Sequence, residues 1–134
     1  MRIRALRGDS KGQALLEFAL ILPVLLLLVL GIVEFGRVWN LAQLMSDTAR
    51  EGTRRAVIAD ATITEQSVKD FMAGKLESGG VPVSAITITF SQTGANWHTG
   101  ANQVGTITIP YSFMFFSRLF GPVNLVSSFT MRME

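Results

Sequence analysis

Between Glu17 and Glu34 the chain carries no charged residue, and thirteen of residues 18–33 are Phe, Leu, Ile or Val. A helix over residues 14–33 is about 30 Å long, enough to cross the hydrocarbon core of a bilayer. Such a run is too apolar for the core of a small soluble domain, so it divides the chain into a short leader and an outer part. The leader carries Arg2, Arg4, Arg7 and Lys11, whereas Arg50, Arg54 and Arg55 lie well beyond the run. Positive charge beside a span stays cytoplasmic, so the N-terminus is expected inside and the rest outside. The net charge of +2 is thus split by the run and forms no basic, aromatic-laced surface for nucleic acid. With no cysteine, no disulfide or thiolate site is available.

One acid interrupts the pattern. Glu17 stands near the start of the run, where a carboxylate costs ~3 kcal/mol at a membrane centre and less near the interface. Each large apolar residue returns about 0.3–0.6 kcal/mol, so the thirteen together outweigh it and insertion proceeds. Three readings remain open at this level. A cleavable secretory signal places the mature start after Val33, although GIVEFGRVW has no A-x-A-like exit. A plain single-span anchor accounts for everything except Glu17. A third reading must give the acid a role.

The residues Gly12-Gln13-Ala14-Leu15-Leu16-Glu17-Phe18 resemble the processing site of type IV-type prepilins. The following ALLEFALILPVLLLLVLGIVEFGR resembles TadE-like minor pseudopilins of tight-adherence (Tad, or Flp) pilus systems. The likeness extends through AREGTRRA to the closing SFTMRME. TadG-like proteins share a similar N-terminal segment but usually carry a longer extracytoplasmic part, so the short chain favours the TadE-like reading. The resemblance implies a non-enzymatic component of pilus assembly, serving adherence or secretion. It implies cleavage between Gly12 and Gln13 by a membrane prepilin peptidase, and Glu17 as the assembly residue. It further implies other pilin subunits and an inner-membrane assembly platform as partners, besides the lipid bilayer. When subunits stack, the Glu17 carboxylate can pair with the new amino group of Gln13 on a neighbour. A buried pair of this kind adds little net stability but sets register. Alternatively, Glu17 sits at the interface and hydrates. A permanently anchored periplasmic accessory protein, never cut and never in a fibre, is the competing function.

Four segments are expected: a basic leader 1–12, a transmembrane and filament-core helix 13–33, its extracytoplasmic continuation 34–60, and a small α+β domain 61–134. Pro23 removes one backbone hydrogen bond inside the helix, which predicts a kink over residues 19–23, whether functional or merely tolerated. Phe35, Val38, Ala42, Met45, Ala49, Gly52, Ala56 and Ala59 alternate at spacings of three and four, an a/d seam. Its small residues Ala49, Gly52 and Ala56 invite close packing, either by the chain's own sheet or by another subunit. Arg37, Asp47, Arg50 and Arg54 occupy the opposite face, and Glu34–Arg37 is an i,i+3 pair.

Residues 60–62 are expected to end this helix, and Thr62 with Glu65 fits a capping box for a second helix. That helix runs to about Glu77, with Val68, Phe71, Met72 and Leu76 on one face, and stops at Gly79 and Gly80. Ile86, Ile88 and Phe90 alternate with Thr87 and Thr89, a half-buried strand. Residues 92–102 form a polar loop. Over residues 104–116 the alternation resumes, with Ile107, Ile109, Tyr111, Phe113 and Phe115 on one side and Pro110 demanding an edge or a bulge. Residues 117–122 turn, and residues 125–132 make a last strand with Phe129 and Met131 inward. The fold class is α+β, pilin-like, with a long helix, a short helix and a three-stranded antiparallel sheet. His98 is the sole histidine, so no metal set exists and no cofactor is expected; with Trp97 it reads as an exposed loop pair. No GxxxxGK run precedes a helix, and Asp60, Glu65 and Asp70 look like solvated acids.

Overall fold

A computed structural model describes residues 10–58, 63–94, 97 and 102–132. The apolar run and its seam form one helix, α1 (Ser10–Ile58). A short helix α2 (Glu65–Ser78) follows. A single 3-10 turn (Val83–Ala85) then leads into strands β1 (Thr87–Phe90), β2 (Asn102–Tyr111) and β3 (Val123–Arg132). The sheet is antiparallel in the order β1-β2-β3, with Ile88 opposite Ile107 and Ile107 opposite Ser127. The expected α+β class with two helices and three antiparallel strands is the observed one.

The core forms where the outer half of α1 lies between α2 and the sheet. Met45, Ala49 and Ala56 of α1 are buried with Val68, Met72 and Leu76 of α2 and Ile107 and Ile109 of β2. Small residues set the closeness of approach. A Cβ on Gly52 would overlap the Met72 thioether, and one on Gly105 would overlap the Thr53 hydroxyl. The a/d seam holds from Met45 to Ala56. Lower down it fails: Phe35 and Ala42 are exposed, because neither α2 nor the sheet reaches that face of α1. Thr48 and Thr53, off the simple seam, are fully buried, since the chain packs two elements on α1 and thereby covers a wider stripe.

Three further expectations are corrected. The N-cap of α2 is Thr64, whose side chain accepts from Ser67 N at 3.2 Å, and Ser67 Oγ donates back to Thr64 O at 2.7 Å. The Thr62 capping box is therefore not the one used. Glu65 instead pairs with Lys69 at 2.6 Å and accepts from Gly94 N at 3.2 Å, so it is no free acid. Trp97 is buried: its ring meets Phe90 edge-on at 5.0 Å and its Nε1 donates to Ile63 O at 3.2 Å. An indole that large closes the open end of the core, which outweighs its polar sequence context. Residues 59–62, where the end of α1 was expected, and His98 lie outside the described residues.

Pro110 sits in the central strand yet meets the edge requirement. Ser91 N bonds Val104 O, so Pro110, six residues on, also directs its backbone nitrogen toward β1. But β1 begins at Thr87 opposite Thr108, leaving no ladder partner that Pro110 would have to serve. The expected strand stops at Tyr111, and Phe113 and Phe115 leave it. At α2's C-terminus, Gly80 adopts φ +89°, a left-handed conformation suited to glycine, next to the Gly79 cap.

Candidate functional site

The features singled out in the sequence lie on one rod but far apart. Gly12, Gln13 and Glu17 occupy the first turns of α1, and Ala49 lies about 48 Å farther along the same axis. From residue 11 to residue 29 every side is exposed, and the helix is long and apolar enough to cross a membrane. It is a candidate membrane span. Gln13 Nε2 donates to Glu17 Oε1 at 3.3 Å, an i,i+4 contact on an open face. Residue 13 and the acid are thus neighbours across one helical turn. Pro23 lies within the helix, which continues through it as a single element. Proline at this position leaves the Ala19 carbonyl without its i+4 donor.

Ala49, Gly52 and Ala56 are buried by the chain's own α2 and sheet. Glu51, on the same stretch, bridges α1 to α2 through Lys75 Nζ at 2.5 Å. The Lys75 hydrogen bond, opposed by desolvation and helped by the charges of Lys75 and Arg55, holds this carboxyl below its ordinary value. Arg55 pairs with Glu51 at 3.4 Å and places its guanidinium carbon 3.4 Å from the Phe71 ring centroid.

The most developed polar site was not apparent from the sequence. Glu34, the first acid after the apolar run, is 3% exposed. Its Oε1 accepts from the Tyr111 hydroxyl at 2.6 Å and from Met114 N at 3.1 Å. Oε2 accepts from Met114 N at 3.2 Å and from Phe115 N at 3.4 Å. The Arg37 guanidinium, assigned to Glu34 from its spacing, is a distant 3.9 Å away. Glu34 therefore works less as a helix-surface ion pair than as a clasp joining α1 to the segment after β2. The Tyr111 hydrogen bond, against desolvation and with the two amides and Arg37, holds the carboxyl below its usual range. Burial, then the bond to the carboxylate, pushes the Tyr111 phenol up. Beyond the end of β2, Met114 and Phe115 direct their N–H groups at the acid.

Below the clasp, Gly31, Glu34, Phe35 and Val38 face Phe113, Phe116 and Phe120 across an apolar cleft of about 330 Å³. Among the described residues, no group of three or more His, Cys, Asp or Glu side chains is placed to hold a metal ion.

Comparison with known families places one match on this framework. The family model described as TadE-like protein matches residues 12–54, from the glycine of the expected cut to the buried seam of α1. The likeness drawn above at SFTMRME lies outside the matched residues. No curated protein and no solved structure matches the chain.

Proposed function

We propose that this chain, TadE-like over residues 12–54, is a minor pilin-like subunit of a tight-adherence pilus. Residues 14–33 hold it in the bacterial inner membrane, with the leader in the cytoplasm and the α+β part in the periplasm. A prepilin peptidase cuts between Gly12 and Gln13. The subunit then joins other pilins through the inner-membrane assembly platform, in support of pilus assembly, adherence or secretion. Its part is structural: it packs and pairs, and transforms no substrate.

A single observation carries the reading. The family match begins at Gly12 and runs along a helix whose apolar part is exposed on every side through residue 29, so that part needs lipid or sister helices around it. Gln13 and Glu17 already adjoin across one turn. Once the cut frees an amino group on Gln13, the same carboxylate offers it a partner on its own or a neighbouring rod. Between apolar helices such a pair fixes axial register, because any offset leaves two charges unpaired in a low dielectric.

Sequencing the N-terminus of native protein, from cells with and without the peptidase, tests this. The expected result is a mature start at Gln13 only where the enzyme is present. Uncut chain in both strains indicates the permanently anchored accessory protein, and a start after Val33 a secreted domain. In the same cells Glu17→Ala should leave membrane insertion intact and lower piliation. Normal piliation would remove the role given to Glu17.

A further inference from the structure

We propose that the segment 112–122, SFMFFSRLFGP, is a second membrane-contacting element that lies in the outer interface of the bilayer. The inference rests on the reading of residues 14–33 as a span and adds a separate lipid contact to it. The segment contains four phenylalanines, Met114 and Leu119, with Arg118 as its one charge. Phe113 and Phe116 are half-buried against the cleft, but the other apolar groups face outward: Leu119 is 76% exposed, Met114 66%, Phe120 58% and Phe115 44%. An apolar loop normally folds onto the core. This one is held away from it, because Tyr111, Met114 and Phe115 are tied to Glu34 on the flank of α1.

The tie also sets its height. Glu34 follows the last residue of the span, and each residue advances the helix by about 1.5 Å. The cleft between loop and helix reaches down to Gly31, within the span's final turn. Leu30 and Gly31 are the residues of the span that are not fully open. The folded part thus overlaps the end of the apolar run, so hydrocarbon reaching Val33 also reaches the loop. Phe35 and Trp39, stacked at 6.0 Å and both exposed, stand at the same level, an aromatic belt of the kind found at membrane interfaces. Arg37 and Arg118, both exposed, are the cations available to lipid phosphates there. At the opposite end of the sheet, exposed Thr93 and Asn102 are polar. This asymmetry, continuous with the span, makes phospholipid the occupant.

The chain has no cysteine, so single reporters can be placed cleanly in the full-length protein. Leu119→Cys (loop), Leu25→Cys (mid-span) and Thr93→Cys (far end) are each labelled with an environment-sensitive fluorophore. They are then reconstituted into phosphatidylcholine–phosphatidylglycerol vesicles whose lipids carry quenchers at a shallow or a deep acyl position. The expected pattern is deep quenching at 25, shallow quenching at 119 severalfold stronger than at 93, and little at 93. Quenching at 25 with none at 119 overturns the inference and leaves the anchor standing. No quenching at 25 overturns the anchor and the inference with it. A blue-shifted signal at 119 that ignores lipid quenchers and fades as protein is diluted assigns the patch to a second subunit, and also overturns it.

Discussion

At the scale of single residues, polar groups decide more here than the abundant apolar ones. Glu34 is the clearest case. Its folded carboxyl titrates below its ordinary value, so its contribution is present above that ordinary value and is lost as pH falls through the lowered one. The Tyr111 phenol is raised, so its contribution holds below its ordinary value and fades as pH climbs through the raised one. The protection of the Met114 and Phe115 amides from hydrogen exchange, taken relative to the intrinsic rate at each pH, should therefore be high at neutral pH and fall on acidification. In Tyr111→Phe it should be lower already at neutral pH. Unchanged protection in both experiments would show that the clasp does not hold the segment. Thr48 offers the opposite test. Its hydroxyl is buried with no partner among the described residues. Thr48→Val keeps the shape and removes the stranded group, which should raise stability by about 1 kcal/mol in urea melts. Neither residue announces itself in the sequence. An acid three residues before an arginine looks like an ordinary surface pair, and a threonine in a helix looks like solvent.

At the scale of elements, periodicity was legible along the middle of the packed stripe of α1 and less so at its edges, where Thr48 and Thr53 are buried. The seam through Met45, Ala49, Gly52 and Ala56 could be read because α2 and the sheet both prefer small residues at the crossing. Gly52→Ala sets a methyl against the Met72 side chain, an overpacking cost of about 1–3 kcal/mol. Better helix propensity offsets about 1 kcal/mol of that. A net loss of stability is expected by thermal or urea unfolding of the outer part, and Met72→Ala should relieve part of it in the double variant. For α2 the cap is what matters: Thr64→Ala should cost about 1 kcal/mol, whereas Thr62→Ala should cost little. The two-residue shift of that cap was hidden because both threonines suit the role by residue type. The alternation in the sequence likewise continues past Tyr111, whereas the strand stops there and the next amides, of Met114 and Phe115, bond to Glu34.

At the scale of the whole molecule, α1 is at once the candidate anchor and one wall of the core. The outer part therefore cannot be separated from it at the end of the apolar run without choosing the cut carefully. A chain of residues 34–134 keeps Glu34, Met45, Thr53 and Ala56 and should unfold cooperatively in circular dichroism melts. A chain of residues 63–134 loses one face of Ile107, Val68 and Met72 and should show no cooperative transition. A cooperative melt from the shorter chain would overturn this division.

The sequence by itself determined the long apolar helix, the α+β class and the order of its elements, and the TadE-like match falls on that helix. These rest on local pattern: hydropathy over twenty residues, periods of 3.6 and 2, and glycines that stop a helix. Only the tertiary structure decided what Glu34 does, why Trp97 is buried, and where the aromatic segment after β2 sits. Each of those depends on groups far apart in sequence meeting in space, as when Glu34 accepts a hydrogen bond from the Tyr111 hydroxyl, seventy-seven residues away. A carboxylate takes its hydrogen bonds from whichever donors the fold brings to it, and one-dimensional spacing carries no record of that encounter.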